Sequence, residues 1–134
     1  MVRNILAVIL GAPIGGYVNM ALIKVSSSVI APPPGSNLTT EEGLKAAMHL
    51  MEPRHFLFPF LAHALGTLVG AYVASLIAAS HQLKLALLVG VLFFAGGLAM
   101  VLMLPSPLWF TITDLGLAYL PMAYLGWMLA GKKK

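Results

Sequence analysis

MEPRHFLFPFLAHALGTLVGAYVASLIAAS, residues 51–80, is the stretch whose reading decides the fold. It opens with Glu52 and Arg54, then runs apolar for longer than a core helix of a small soluble domain needs. One imidazole, His63, stands about two turns inside the apolar segment. Stepping from it at helical spacing gives Gly66, Thr67, Gly70, Ala71 and Ala74, so His63 shares a face with small residues. Small faces let helices approach closely in lipid, and an ionisable group on such a face points into protein rather than into acyl chains. The stretch predicts a membrane-spanning helix that carries a candidate functional residue.

Composition extends that reading to the whole chain. Of 134 residues, 60% are hydrophobic and 9% charged, and the mean hydropathy is +0.93. A soluble domain carries roughly a quarter charged residues, so too few polar groups exist here to coat a soluble bundle. Apolar runs over residues 4–26, 55–79, 83–104 and 108–130 are each long enough to cross a hydrocarbon core of about 30 Å. The expected fold is an all-α integral membrane protein, a single transmembrane domain over residues 1–134. It is an antiparallel four-transmembrane-helix bundle, with a short amphipathic surface helix at about 40–51 between helices 1 and 2.

Local signals fill in the elements. In helix 1, Gly11 with Gly15 and Ala12 with Gly16 form small-residue pairs for helix packing, and Asn19 shares the glycine face. Pro13 predicts a bend there, as Pro59 does in helix 2. Thr39 and Glu42 match a helix N-cap with its reciprocal partner. Leu44, Ala47, Met48 and Met51 then repeat at helical spacing, until Pro53 disfavours helix at Glu52. Gly90, Gly96 and Gly97 predict close packing of helix 3. Trp109 and Trp127 in helix 4 are about 27 Å apart along a helix axis, close to the separation of the two interfacial aromatic belts. Asp114 lies between them, and Pro121 frees the Leu117 carbonyl on the same face.

The net charge of +4 and pI near 9.6 do not indicate a nucleic-acid surface, because the basic residues form no stripe with interleaved aromatics. Arg3, Lys84 and Lys132–Lys134 fall at the chain ends and in one loop, with no acidic residue beside them. On the other side, Lys24, Lys45 and Arg54 are balanced by Glu41, Glu42 and Glu52. This bias predicts both termini cytoplasmic, in a bacterial inner membrane. The lysine run at the C-terminus is expected to anchor helix 4 at anionic headgroups. The N-terminal apolar run lacks a small-residue cleavage pattern and is expected to be a retained helix. Cysteine is absent, which excludes disulfides, thiol chemistry and thiolate metal sites.

That topology places Asn19, His63 and Asp114 at one depth, roughly 8 to 12 Å below the outer surface. Each lies on or beside a small or proline-broken face, so they form the candidate ligand-binding or proton-relay cluster. An aspartate in hydrocarbon must pair, neutralise or line water, and His63 is the group able to answer it. A second candidate, His49-x-x-Glu52-x-x-His55, offers ligand types suited to a divalent metal, although Pro53 interrupts its helical spacing. No catalytic residue is assigned.

These features support a carrier or channel component for a small solute, ion or proton. Four helices enclose little space, so its pathway implies a homo-oligomer in the bilayer. An intramembrane or metal-binding enzyme using His63 and Asp114 is the alternative in another class; no serine or cysteine stands ready as nucleophile. A structural or assembly protein, whose polar residues only join helices, is the third.

Overall fold

The computed structural model describes residues 1–131 and is built of helices without strands. The Lys132–Lys134 run, expected to anchor helix 4 and to mark the cytoplasmic side, lies outside the described residues. The elements are α1 (Val2–Val29), α2 (Glu41–Ala47), α3 (Leu57–Ile77), α4 (Gln82–Met103), α5 (Leu108–Leu117) and α6 (Leu120–Ala130). Tight 3-10 turns at Met48–Leu50 and Pro53–Phe56 link α2 to α3. Three helices are long and apolar enough to cross a membrane: α1, α3 with its leading turn, and α4.

The expected fourth span is the main departure. Residues 108–130 do not form one helix but break between α5 and α6, where Tyr119 leaves helical geometry at φ −115° and ψ −82°. Pro121 is the cause. It has no N–H for the Leu117 carbonyl, and its ring crowds the turn before it. The chain restarts with Pro121 in the first turn of α6, where a missing donor costs nothing. Pro59 is absorbed in the same way. The expected helix from residue 55 begins as a 3-10 turn, so Pro59 sits in the first turn of α3 and not in its interior. Pro13 remains inside α1, which continues through it.

The surface segment also starts one residue later than the sequence pattern suggests. Thr40, not Thr39, caps α2, its Oγ1 accepting from the Gly43 N–H at 3.0 Å. Thr39 instead turns back to Asn37, donating from Oγ1 to Oδ1 at 2.5 Å. Residues 48–50 tighten into a 3-10 turn, so the α-helical part is shorter than expected.

The core is centred on α3, which packs against α1, α4 and α6. Its partner surface on α1 repeats every fourth residue: Ala7, Gly11 and Gly15 are buried, facing Ala78, Ala74, Gly70 and Gly66 in reverse order. A Cβ at Gly11 would stand 2.6 Å from the Gly70 carbonyl oxygen, so the two backbones are in contact. The same helices are tied at one end by polar bonds. Arg3 Nε donates to the Ile77 carbonyl at 3.1 Å, and Asn4 Oδ1 accepts from the Ala79 N–H at 2.9 Å. Gly126 of α6 lies as closely on α3, where a Cβ would meet the Leu68 carbonyl at 2.5 Å. Outward faces are apolar: Ile9, Tyr17, Leu102, Ile112 and Leu129 are all more than half exposed.

Candidate functional site

Two elements bring the site together. His63 lies in the second turn of α3, and Asp114 lies in the second turn of α5, 51 residues later. His63 Nδ1 is 2.8 Å from Asp114 Oδ1 and 3.0 Å from Oδ2. Tyr119, at the α5–α6 break, donates its hydroxyl to Oδ2 at 3.1 Å. Its ring also stacks on the imidazole, with centroids 5.7 Å apart and planes inclined by 25°. Asp114 is only 2% exposed, and Tyr119 only 1%.

Proton positions follow from what each group can do. A carboxylate has acceptors and no donor, so Nδ1 carries the hydrogen that points at Asp114. In the neutral ring Nε2 then holds a lone pair. Among the described residues Nε2 makes no hydrogen bond, and the His63 side chain is 23% exposed. Asp114 therefore orients the ring and fixes its tautomer, leaving Nε2 without a hydrogen-bond partner among the described residues. The backbone is secured as well: Thr67 Oγ1 donates to the His63 carbonyl at 2.7 Å.

The expected trio is a pair with a neighbour. Asn19 makes no hydrogen bond to His63 or Asp114; it packs against Gly66, one turn along α3 from His63. Its Oδ1 is buried and accepts no hydrogen bond among the described residues. The glycine faces of α1 and α3 set this register, so Asn19 arrives at the right depth but against backbone. Tyr119 is the member that sequence reasoning missed. The available signal was Pro121, whose break redirects the chain two residues earlier.

The candidate metal set does not form. Both nitrogens of His55 are engaged: Nδ1 accepts from the Glu52 N–H at 2.8 Å, and Nε2 donates to the Ala31 carbonyl at 2.9 Å. Glu52 caps the same turn and pairs with Arg54 at 3.0 Å. His49, Glu52 and His55 are thus structural or solvated, and no three residues of ligand type come together among the described residues. The proline at 53 is the reason, since it converts the ligand spacing into a turn that uses its own donors and acceptors.

Next to the site lies an apolar groove of about 250 Å³, lined by Pro53, Phe56, Leu57, Phe60, Trp109, Phe110 and Thr113. Phe60 belongs to both places, packing towards Phe56 and Phe110 on one side and towards Ala64, Ala118 and Tyr119 on the other. Comparison of the chain with known protein families, with curated proteins and with solved structures finds no match, so its function has to be argued from His63, Asp114 and Tyr119 themselves.

Proposed function

We propose that this chain is an integral membrane protein acting as a carrier or channel component for a small solute, ion or proton. In this reading α1, α3 and α4 cross the bilayer, and the broken pair α5–α6 supplies a fourth, interrupted crossing. Apolar outward faces support it, because solvent other than lipid would leave Ile9, Leu102 and Leu129 unfavourably exposed. The charge bias favours cytoplasmic termini in a bacterial inner membrane, and the thin bundle favours a pathway shared between copies of the chain.

The observation that carries the reading is a tautomer-locked histidine with one free nitrogen. With Nδ1 held by Asp114, Nε2 is the atom that meets the cargo. Uptake of a proton there converts a carboxylate beside a neutral ring into a carboxylate–imidazolium pair. The local net charge passes from −1 to zero, with Tyr119 holding the carboxylate in place through both states. Intramembrane ionisable groups mark proton and substrate pathways by default, because burying them is costly.

Proteoliposomes with an entrapped pH-sensitive dye test this. Protein-dependent proton flux is expected, abolished by His63→Ala and by Asp114→Asn. Flux that survives both substitutions removes the reading. A structural joint between α3 and the α5–α6 break is the second reading, favoured by the complete burial of Tyr119. It predicts no flux in the unmodified protein and a lower melting temperature in the same variants.

A further inference from the structure

We propose that His55 is a proton-released latch: its neutral ring ties the connector end of α1 to the turn leading into α3, and proton uptake lets that end part from the bundle. The latch goes beyond the carrier reading and holds whether or not His63 meets a cargo.

The bonds of the ring admit one protonation state. The Glu52 N–H can only donate, so His55 Nδ1, 2.8 Å away, presents its lone pair. The Ala31 carbonyl can only accept, so Nε2, 2.9 Å away, carries the hydrogen. An imidazolium has a hydrogen on both nitrogens and would set two donors against each other at Glu52. The ring must then turn, and turning takes Nε2 off the Ala31 carbonyl. The Glu52 carboxylate, which caps the same turn, offers the new Nδ1 hydrogen an acceptor.

The surrounding charges leave this change to His55. Glu52 pairs with Arg54 in its own turn, and Glu41 with Lys45 on α2. Glu42 on α2 and Lys24 on α1 complete the charged set. Glutamate and lysine keep their charge across the interval of about pH 5 to 8 in which histidine changes its own. The connector, residues 30–40, has no titratable side chain. His49, the other imidazole of the segment, makes no side-chain hydrogen bond among the described residues.

What the latch holds is the loosely seated half of α1. At the opposite end, Arg3 and Asn4 bond to Ile77, Ala79 and Ser80. In the middle, Gly11 and Gly15 lie on α3 backbone. Beyond Gly15 no residue of α1 is buried. From residues 16–31 to any other element, the His55–Ala31 bond is the only hydrogen bond among the described residues. Pro13 removes one bond inside α1, so the helix can flex just before this half. Asn19 Oδ1, buried there without a partner, gains water when the seam opens. α1 keeps its own hydrogen bonds as it moves.

Distances between paired spin labels on the full chain in nanodiscs test the latch, and the chain has no cysteine of its own to interfere. Val29→Cys with Leu108→Cys spans the latched end, and Leu6→Cys with Leu88→Cys spans the opposite end; all four positions are exposed. Between about pH 7.5 and about pH 5, the first pair is expected to gain a longer component. Its population should rise about two- to tenfold, the equivalent of one net hydrogen bond, while the second pair stays unchanged. His55→Phe should show the longer component at both pH values, and His49→Ala should respond as the native protein does. No pH response at the first pair, the same response in His55→Phe, loss of the response in His49→Ala, or equal lengthening of both pairs overturns the proposal.

Discussion

The phenol ring of Tyr119 lies directly on Gly97, at a point where α4 presents no side chain. A Cβ at Gly97 would stand 2.5 Å from the ring Cζ and 2.9 Å from Cε2, in space the ring and hydroxyl already fill. Gly97 is therefore what allows Tyr119 to reach Asp114. Replacing a helical glycine by alanine gains about 1 kcal/mol of helix propensity, whereas overpacking costs about 1–3 kcal/mol. Gly97→Ala should lower stability on balance, because the obstructed group is pinned between α4, His63 and Asp114. Tyr119→Phe should cost about 1.5–3 kcal/mol, the range for a hydrogen bond to a charged group. The two losses act through one contact, so the double variant should be less destabilised than their sum. Denaturation followed by circular dichroism would show this, and strict additivity would sever Gly97 from the site.

Adjacent glycines of α1 offer a sharper contrast. Gly15 lies against the Gly66 carbonyl and 2.9 Å, measured from an ideal Cβ, from the Gly70 Cα, both backbone atoms that cannot swing aside. Gly16 has nothing within 4 Å of the same construction. Gly15→Ala should force α1 away from α3 and lower the melting temperature, whereas Gly16→Ala should be neutral or raise stability by up to about 1 kcal/mol. Equal effects at the two positions would mean that α1 does not dock by its Gly11–Gly15 face.

Much of this arrangement was legible in residue types and spacing. Three apolar runs became long helices, and depth counting along them was enough to bring His63 and Asp114 to one level. The Gly11–Gly15 face and the positions of Gly90 and Gly97 also followed from small-residue packing, although Gly96 meets nothing. Tyr119 was hidden for a geometric reason. On an unbroken helix residue 119 points about 140° away from residue 114, so no periodic reading pairs them. Only the break before Pro121 turns the ring back on Asp114. Asn19 stands apart from the pair for another reason, since depth does not fix rotation. The glycine contacts decide how α1 turns, and they set Asn19 against Gly66.

Asp114 has two tasks that substitution can separate. Asn at this position retains an oxygen that can accept from Tyr119 or His63, and loses the charge that a proton on His63 would balance. Ala leaves the Tyr119 hydroxyl and His63 Nδ1 without their acceptor, at about 1–3 kcal/mol for each buried unsatisfied group. Thermal unfolding should therefore rank the native protein above Asp114→Asn and that above Asp114→Ala, while proton flux is lost in both. An alanine variant as stable as the asparagine variant would show that Tyr119 and His63 find other partners when the carboxylate is removed.

The turn at Pro53–Phe56 yields the last expectation. His55 is a clamp: its Nδ1 closes the turn through the Glu52 N–H, and its Nε2 holds the Ala31 carbonyl of the connector between α1 and α2. Every bond in the set is solvent-exposed, so its loss should cost little, about 0.5–1.5 kcal/mol for each net hydrogen bond. The effect should be local. His55→Phe removes both bonds and keeps a planar ring, and hydrogen exchange should then quicken in residues 30–40 while α3 and α1 stay protected. His49→Ala, which breaks no hydrogen bond among the described residues, should leave exchange unchanged throughout. If adding zinc slows exchange over residues 48–56 in the native protein but not in His55→Phe, the clamp opens to bind metal and the assignment of His55 as a structural residue fails.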